Sequence, residues 1–481
     1  MNTNQHPIII QGGMGIAVSD WKLAKTVSMT GQLGVVSGTA INSVLVRRLQ
    51  DGDSDGHMRR ALRAFPSQDI AQKIIESYFI EGGKAATQSY KRAPMSAVNS
   101  PKSLLQLTVA ASFVEVWLAK EGHPGLVGIN LLEKIHLPNL PCLYGAMLAD
   151  VDYVIMGAGI PREIPGALDL LSQNLTAHLK VPVSGGEDVI TSFNPNDVMD
   201  YSEEMQKSFQ LKRPYFFPIV SSAVLAANLK KKATGRVDGF IVEGPLAGGH
   251  NAPPRGPMKL NERGEPIYGD RDVVDLADMK ALELPFWLAG DYATPEKLAE
   301  VQRQGAHGIQ VGTLFAFSDE SGVDSNLRLN AIKTILTEKA PEGGWIFTDP
   351  RSSPTGFPFK AARIPGSISE ENLYLQRKRI CDLGYLRHLY KKEDGTIGQR
   401  CPAEPVADYL KKGGQEEDTI GRKCLCNALM ADIGMGQIQS NGEKELHLLT
   451  AGDDLNNIKR MIQPHAQSYS AKDVIKYLLS K

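Results

Sequence analysis

Through residue 317 the chain repeats one pattern: a short apolar run, a junction rich in glycine or turn residues, then a longer amphipathic stretch. Eight apolar runs, over 8–11, 33–37, 126–130, 151–156, 215–220, 239–243, 286–289 and 308–311, read as buried strands. Stretches such as 19–30, 163–179, 222–232 and 295–304 read as the intervening helices. Ser19 and Asp20 before Trp21, Thr294-Pro295 and Gly305 supply their start and stop signals. Eight βα units over roughly 310 residues predict a (β/α)8 TIM barrel, whose function sits on the loops at the carboxyl ends of its strands.

Two long insertions interrupt the alternation. The first, about 42–122, carries amphipathic helices over 67–81 and 104–120, and the second, about 185–213, is polar and reads as loop. The rhythm ends after the barrel, which is assigned to 1–323. Residues 324–481 read as an appended lid or substrate-binding segment: a helix over 326–338, a proline-rich stretch 345–359 ordered by aromatic packing, and helices over 423–433 and near 471–479.

Composition narrows the partners. The 481 residues carry a formal net charge of −1, with a pI near 6.8. Neither gives the basic footprint that nucleic acid or an anionic membrane surface would need, so a small-molecule or protein-borne substrate is expected. The N-terminus lacks a basic region followed by a long apolar stretch, and no window of about 18 apolar residues is evident, which predicts a soluble cytoplasmic protein. Five cysteines are too few for a disulfide framework. Cys424-Leu-Cys426 has C-x-C rather than C-x2-C spacing on an expected helix, so buried structural thiols are expected and no metal site.

Four glycine clusters follow strands of the expected barrel and would crowd one face. They are Gly12-Gly13-Met14-Gly15 after the first, Gly248-Gly249-His250 after the sixth, Gly290-Asp291 after the seventh and Gly312-Thr313 after the eighth. Glycines let backbone approach a flat or anionic ligand. An imidazole at a strand mouth can exchange a proton near neutral pH, so His250 is the expected catalytic residue. The loops after strands seven and eight, with the helix opening at Pro295, suit a phosphate. Met14 offers a soft apolar contact, and Asn130 sits where it could hydrogen-bond a ring edge.

The ordered set QGGMG at 11–15, GIN at 128–130, MGAGIP at 156–161, AGGH at 247–250, LAGD at 288–291 and GIQVGTLF at 308–315 resembles the nitronate monooxygenase (2-nitropropane dioxygenase) superfamily of FMN-dependent barrels, which includes the enoyl-ACP reductase II enzymes. Farther on, FTDPRSSPTGFPFK at 347–360, ICDLGYLR at 380–387, GTIGQRCPAEPV at 395–406 and GRKCLCNAL at 421–429 are similar to the tail of trans-acting enoyl reductases of polyunsaturated-fatty-acid and polyketide synthases. The resemblance implies FMN across the barrel mouth, with NAD(P)H as reductant. Gly12, Gly13 and Met14 would approach the flavin, Asn130 its ring or ribityl edge, and Gly248 and Gly249 its side. Gly290, Asp291, Gly312 and Thr313 would hold its phosphate, and His250 would stand near the reactive flavin nitrogen. The chain departs from the family pattern at His250-Asn-Ala-Pro-Pro-Arg255, where a glycine is common two residues after the histidine, and at Asp291, where a small residue is frequent.

Three functions stay open on this reading: NAD(P)H-dependent reduction of an enoyl thioester, toward which the tail tilts; oxidation of a nitronate by O2; and a flavin-binding synthase subunit without turnover. The substrate would be a small molecule or an acyl chain on a carrier protein. Homodimerisation stays open too.

Overall fold

The structure is a computed structural model that describes residues 6–201, 210–464 and 466–480. Its centre is a sheet of eight parallel strands: β1 (Ile9–Gln11), β2 (Gly34–Ser37), β3 (Val127–Leu132), β4 (Tyr153–Gly157), β5 (Tyr215–Val220), β6 (Phe240–Glu243), β7 (Phe286–Ala289) and β8 (Gly308–Val311). They pair in the order β1-β8-β7-β6-β5-β4-β3-β2. A parallel bridge between Ile10 and Leu33 and the 2.9 Å bond from Gln11 N to Leu33 O close the ring. All eight expected strands are therefore present, and the TIM barrel is the fold.

Alternate residues face inward, as a pleated strand requires. Ile10, Val35, Tyr153, Ile155, Phe217, Ile241, Trp287 and Ala289 form the barrel interior, while Ile9, Val36, Val154, Phe216, Phe240, Val242, Leu288 and Ile309 face the outer helices. The amino-terminal end is plugged by aromatic packing. His6 Nδ1 lies 2.7 Å from Tyr153 Oη, its ring meets Trp287 edge-on at 5.8 Å, and Trp287 Nε1 donates to Pro7 O at 2.9 Å. The other mouth is left for ligand.

The insertions differ in part from expectation. In the first, helices occupy Ile41–Gln50, His57–Ala64, Gln68–Tyr78 and Lys102–Lys120. Lys102–Lys120 is, among the described residues, the one helix apolar and long enough to cross a membrane, with a mean hydropathy of 1.2, so an apolar window exists that the sequence reading passed over. Its buried face packs on His136–Leu148, as a core helix does. The helix expected over 163–179 stops at Ser172, because Asn174 takes a left-handed φ of 58° and ties its side chain to Tyr144 Oη at 2.7 Å. Ala177–Val181 then forms a strand antiparallel to Val189–Phe193, with His178 and Lys180 outward. The supposed loop of 185–213 thus begins with a strand and the short helix Pro195–Met199; its residues 202–209 lie outside the described residues.

The segment after the barrel wraps onto it. Helices Ser325–Thr337, Leu425–Asp432 and Ala471–Leu478 lie close to the expected ranges. The proline-rich stretch is more regular than expected at its start: β9 (Ile346–Asp349) pairs antiparallel with β10 (Phe359–Ala362). Another strand of this segment, His388–Lys391, runs parallel to Val183–Ser184, just before the second insertion. One hydrophobic core runs continuously from the outer barrel into this segment, joining for example Leu23, Phe315, Ala362, Leu455 and Val474.

Candidate active site at the barrel mouth

A cleft at the carboxyl ends of the strands is lined by Gly12, Gly13, Met14, Asn130, Gly248, Gly249, His250, Gly290, Gly312 and Thr313. The structure therefore gathers ten of the eleven site residues read from sequence. Asp291 does not line it: its carboxylate turns to Lys297 Nζ at 2.5 Å and anchors the helix Pro295–Arg303.

The glycines serve different neighbours. A Cβ on Gly13 would lie 2.2 Å from Asn130 Cβ, and one on Gly12 3.3 Å from the Gln310 side chain. These two glycines let β1, β3 and β8 bring Asn130 and Gln310 to the cleft floor. Gly248 answers a different demand, since its Cβ would stand 2.7 Å from the Ala451 carbonyl carbon and 2.9 Å from Gly452 N. Its bareness admits the C-terminal segment. Gly249 has φ of 78° with open space around it, a left-handed conformation that a side chain would strain.

His250 is held by residues far along the chain. Gly249-His250 adds to β10, with His250 opposite Phe359. Its Nε2 lies 2.7 Å from Ser353 Oγ, and the Phe359 ring meets it edge-on at 4.9 Å. Ser353 in turn contacts Thr355 Oγ1 at 2.8 Å. Burial, and secondarily the Lys134 ammonium, push the imidazole down to about 4, so it is neutral at physiological pH. Lys134 Nζ rests 4.3 Å over Phe357.

The altered run after His250 is structural at its first residue. Asn251 is buried, donates from Nδ2 to Ala247 O at 2.9 Å, and receives its place from its own N–H bonding to Pro358 O at 2.9 Å. Arg255, at the far end, reaches Ser221 O at 2.8 Å from its guanidinium.

Sequence reasoning did not single out four other lining or holding residues. Glu243 ends β6 inside the cleft, and burial pushes its carboxyl up to about 8. Gln310 lines the floor, and its buried Oε1 has no hydrogen-bond partner among the described residues. Ser353 holds His250. Asp454, with Thr450, Ala451 and Gly452, walls the end beside Gly290 and Thr313. Gln310 lay between Ile309 and Val311 in a strand, where that alternation was the available signal, and Glu243 only closed the apolar run 239–243; Ser353 and Asp454 carried none.

The four thiols Cys381, Cys401, Cys424 and Cys426 line a separate small cavity. They are free, and burial raises each of them. That agrees with packed structural thiols.

A parallel eight-stranded barrel with titratable side chains in a glycine-floored cleft at its carboxyl mouth defines a TIM-barrel enzyme. Residues 189–338 match the nitronate monooxygenase family model, so this stretch of the barrel is similar to that family of oxidoreductases. Solved structures with a similar chain path include FabK from Thermotoga maritima, at 15% identity, covering 99% of this chain and 92% of that one with a TM-score of 0.46. A nitroalkane oxidase from Streptomyces ansochromogenes is 14% identical, over 98% and 94%, with a TM-score of 0.44. The enoyl reductase domain of MlnA from the macrolactin cluster of Bacillus amyloliquefaciens is 10% identical, over 98% and 93%, at 0.45. Likenesses at this level carry no reaction across. Among curated proteins, 120 residues are 29% identical to a succinyl-diaminopimelate desuccinylase of Alkalilimnicola ehrlichii, over 24% of this chain and 32% of that protein. The chain thus spans about a third of the curated relative it matches.

Proposed function

We propose that the chain binds FMN in this cleft and reduces an α,β-unsaturated thioester, carried as an acyl group on a small molecule or a carrier protein, with NAD(P)H as the reductant. The cleft suits the group at both ends. On its floor, the orphaned Gln310 Oε1 is an acceptor awaiting a donor, and Gly12, Gly13 and Asn130 line the cleft beside it. At the other end, the backbone N–H groups of Gly312, Thr313 and Leu314 meet no backbone acceptor outside regular elements among the described residues, which suits a phosphate. When bound and reduced, FMN supplies a hydride to the β-carbon of such a substrate.

The single observation that carries the reading is that Glu243 and His250 line the same cleft, where burial raises the carboxyl and lowers the imidazole. Glu243 stays protonated at neutral pH and His250 stays neutral. A neutral imidazole can donate a hydrogen bond to the thioester carbonyl, polarising it while no imidazolium is needed. The protonated Glu243 is then the group with a proton to deliver toward the α-carbon. The aromatic wall of Phe359, with β10 laid along Gly249-His250, shields that side from water.

Anaerobic reduction by NAD(P)H followed by reoxidation tests the reading. Reoxidation by crotonyl thioester supports it. Reoxidation only by a nitronate with O2 would instead favour the second reading, oxidation of nitronates, which the family match over residues 189–338 keeps in play. In either chemistry His250→Ala should keep flavin bound and lose about 10²-fold or more in turnover; full turnover would leave His250 a structural residue.

A further inference from the structure

The end of the cleft that the flavin phosphate would occupy is walled by the last part of the chain. Thr450, Ala451, Gly452 and Asp454 all face it, and this strap is pinned at several points. Gly452 N donates to Thr313 Oγ1 at 3.0 Å, and Asp453 N donates to Leu246 O at 3.0 Å. Lys360 Nζ bridges Asp453 at 2.8 Å and Pro245 O at 2.6 Å. Ala451 and Gly452 fill the space that Gly248 leaves. The strap is therefore as fixed a part of the wall as the barrel loops.

Its charges are unevenly matched. Asp291, from the loop after β7, is paired with Lys297; Asp453 is paired with Lys360. Asp454, only 6% exposed, has no cationic partner among the described residues. It faces the Thr313 hydroxyl, the Asp291 and Asp453 carboxylates and the phenol of Tyr469. An ionised Asp454 would set a third negative charge against any anion seated beside Thr313, in a site where burial weakens screening.

Resting on the FMN reading above, we propose that Asp454 is a cofactor-contacting residue contributed by the C-terminal segment, and that its carboxyl must hold a proton while the ligand's phosphate lies at this end of the cleft. Burial and the neighbouring acids already push Asp454 up to about 6, against the pull of the Thr313 hydroxyl. A bound dianion raises it further, so binding takes up a proton. The sign follows: affinity is highest where Asp454 is protonated in the free protein and falls as pH rises above about 6.

The test is flavin binding to the full-length apoprotein, read by quenching of flavin fluorescence from about pH 6.5 to about pH 8.5. This window lies above the second ionisation of a phosphate ester near about 6, so FMN is mainly dianionic throughout. The dissociation constant of FMN should rise at least about tenfold across it in the wild type, as uptake of one proton requires. Asp454→Asn should flatten that rise and bind FMN more tightly at the alkaline end. Riboflavin, which lacks the phosphate, should bind both proteins with no such slope. Parallel FMN profiles for the two proteins would overturn the proposal, as would loss of riboflavin binding in Asp454→Asn, which makes the residue structural. Failure of the wild type to bind either flavin at any pH would overturn the cofactor reading itself.

Discussion

At the scale of single residues the site works by opposed burial effects. Glu243 and His250 share one cleft, yet desolvation favours the uncharged form of each: it keeps the proton on the carboxyl and off the imidazole. The pH dependence follows from these directions. His250 is neutral down to about 4, so activity should show no acid limb in the ordinary histidine range. Glu243 loses its proton as pH rises through about 8, so turnover should fall on that side. In Glu243→Gln, turnover should drop about 10²-fold, and what remains should lose the alkaline fall. A pH profile of kcat/KM for both proteins checks this, and an unchanged alkaline limb in the variant would remove Glu243 from the proton path. His250 was legible because it follows two glycines at a strand end. Glu243 was not, because its protonation depends on burial, which no local pattern states.

At the scale of elements, loops from β1, β6, β7 and β8 meet one strap from the C-terminal segment, and each glycine reports which neighbour it serves. Gly312 and Gly248 make the contrast measurable. A Cβ on Gly312 would find only Met14 Sδ at 3.5 Å, an ordinary contact, so Gly312→Ala should leave the thermal midpoint of the apoprotein nearly unchanged. It should still weaken FMN about tenfold, the scale of one lost backbone contact to a charged ligand. Gly248→Ala forces its methyl against the Ala451–Gly452 backbone and should cost roughly 1–3 kcal/mol of stability even without ligand. Thermal melts of both apoproteins and FMN titration of Gly312→Ala separate the two cases; equal midpoints would mean that the strap yields freely. The glycine clusters stood out in the sequence as one group of ligand loops. Only the packing showed that Gly248 belongs to the strap and that Asp291 belongs to Lys297.

At the scale of the whole molecule, the segment after residue 323 reads in sequence as an attachment, while in the fold it shares the barrel's outer core. Arg47 of the helix Ile41–Gln50 pairs with Asp382 at 3.3 Å, both buried, and Tyr469 Oη donates to Leu314 O at 2.8 Å. Removing the segment takes away Asp382 and the cover over Arg47 and uncovers apolar surface along the barrel. A fragment ending at residue 323 should therefore fail to show a cooperative thermal transition, and the full chain should melt in one step; a soluble, cooperatively melting fragment would show the segment to be separable. The sequence by itself determined the barrel, since alternation of apolar runs with amphipathic stretches is a local pattern that burial of eight strands demands. It also determined which loops gather at the mouth, since strand order and loop position are linear properties. Tertiary structure alone decided the rest. It turned residues 177–181 into a strand by giving them Val189–Phe193 as a partner, set Ser353 on His250 across 103 positions, and placed Asp454 in the cleft. Hydrogen-bond partners so far apart, and the burial that fixes a proton, exist only once the chain is folded.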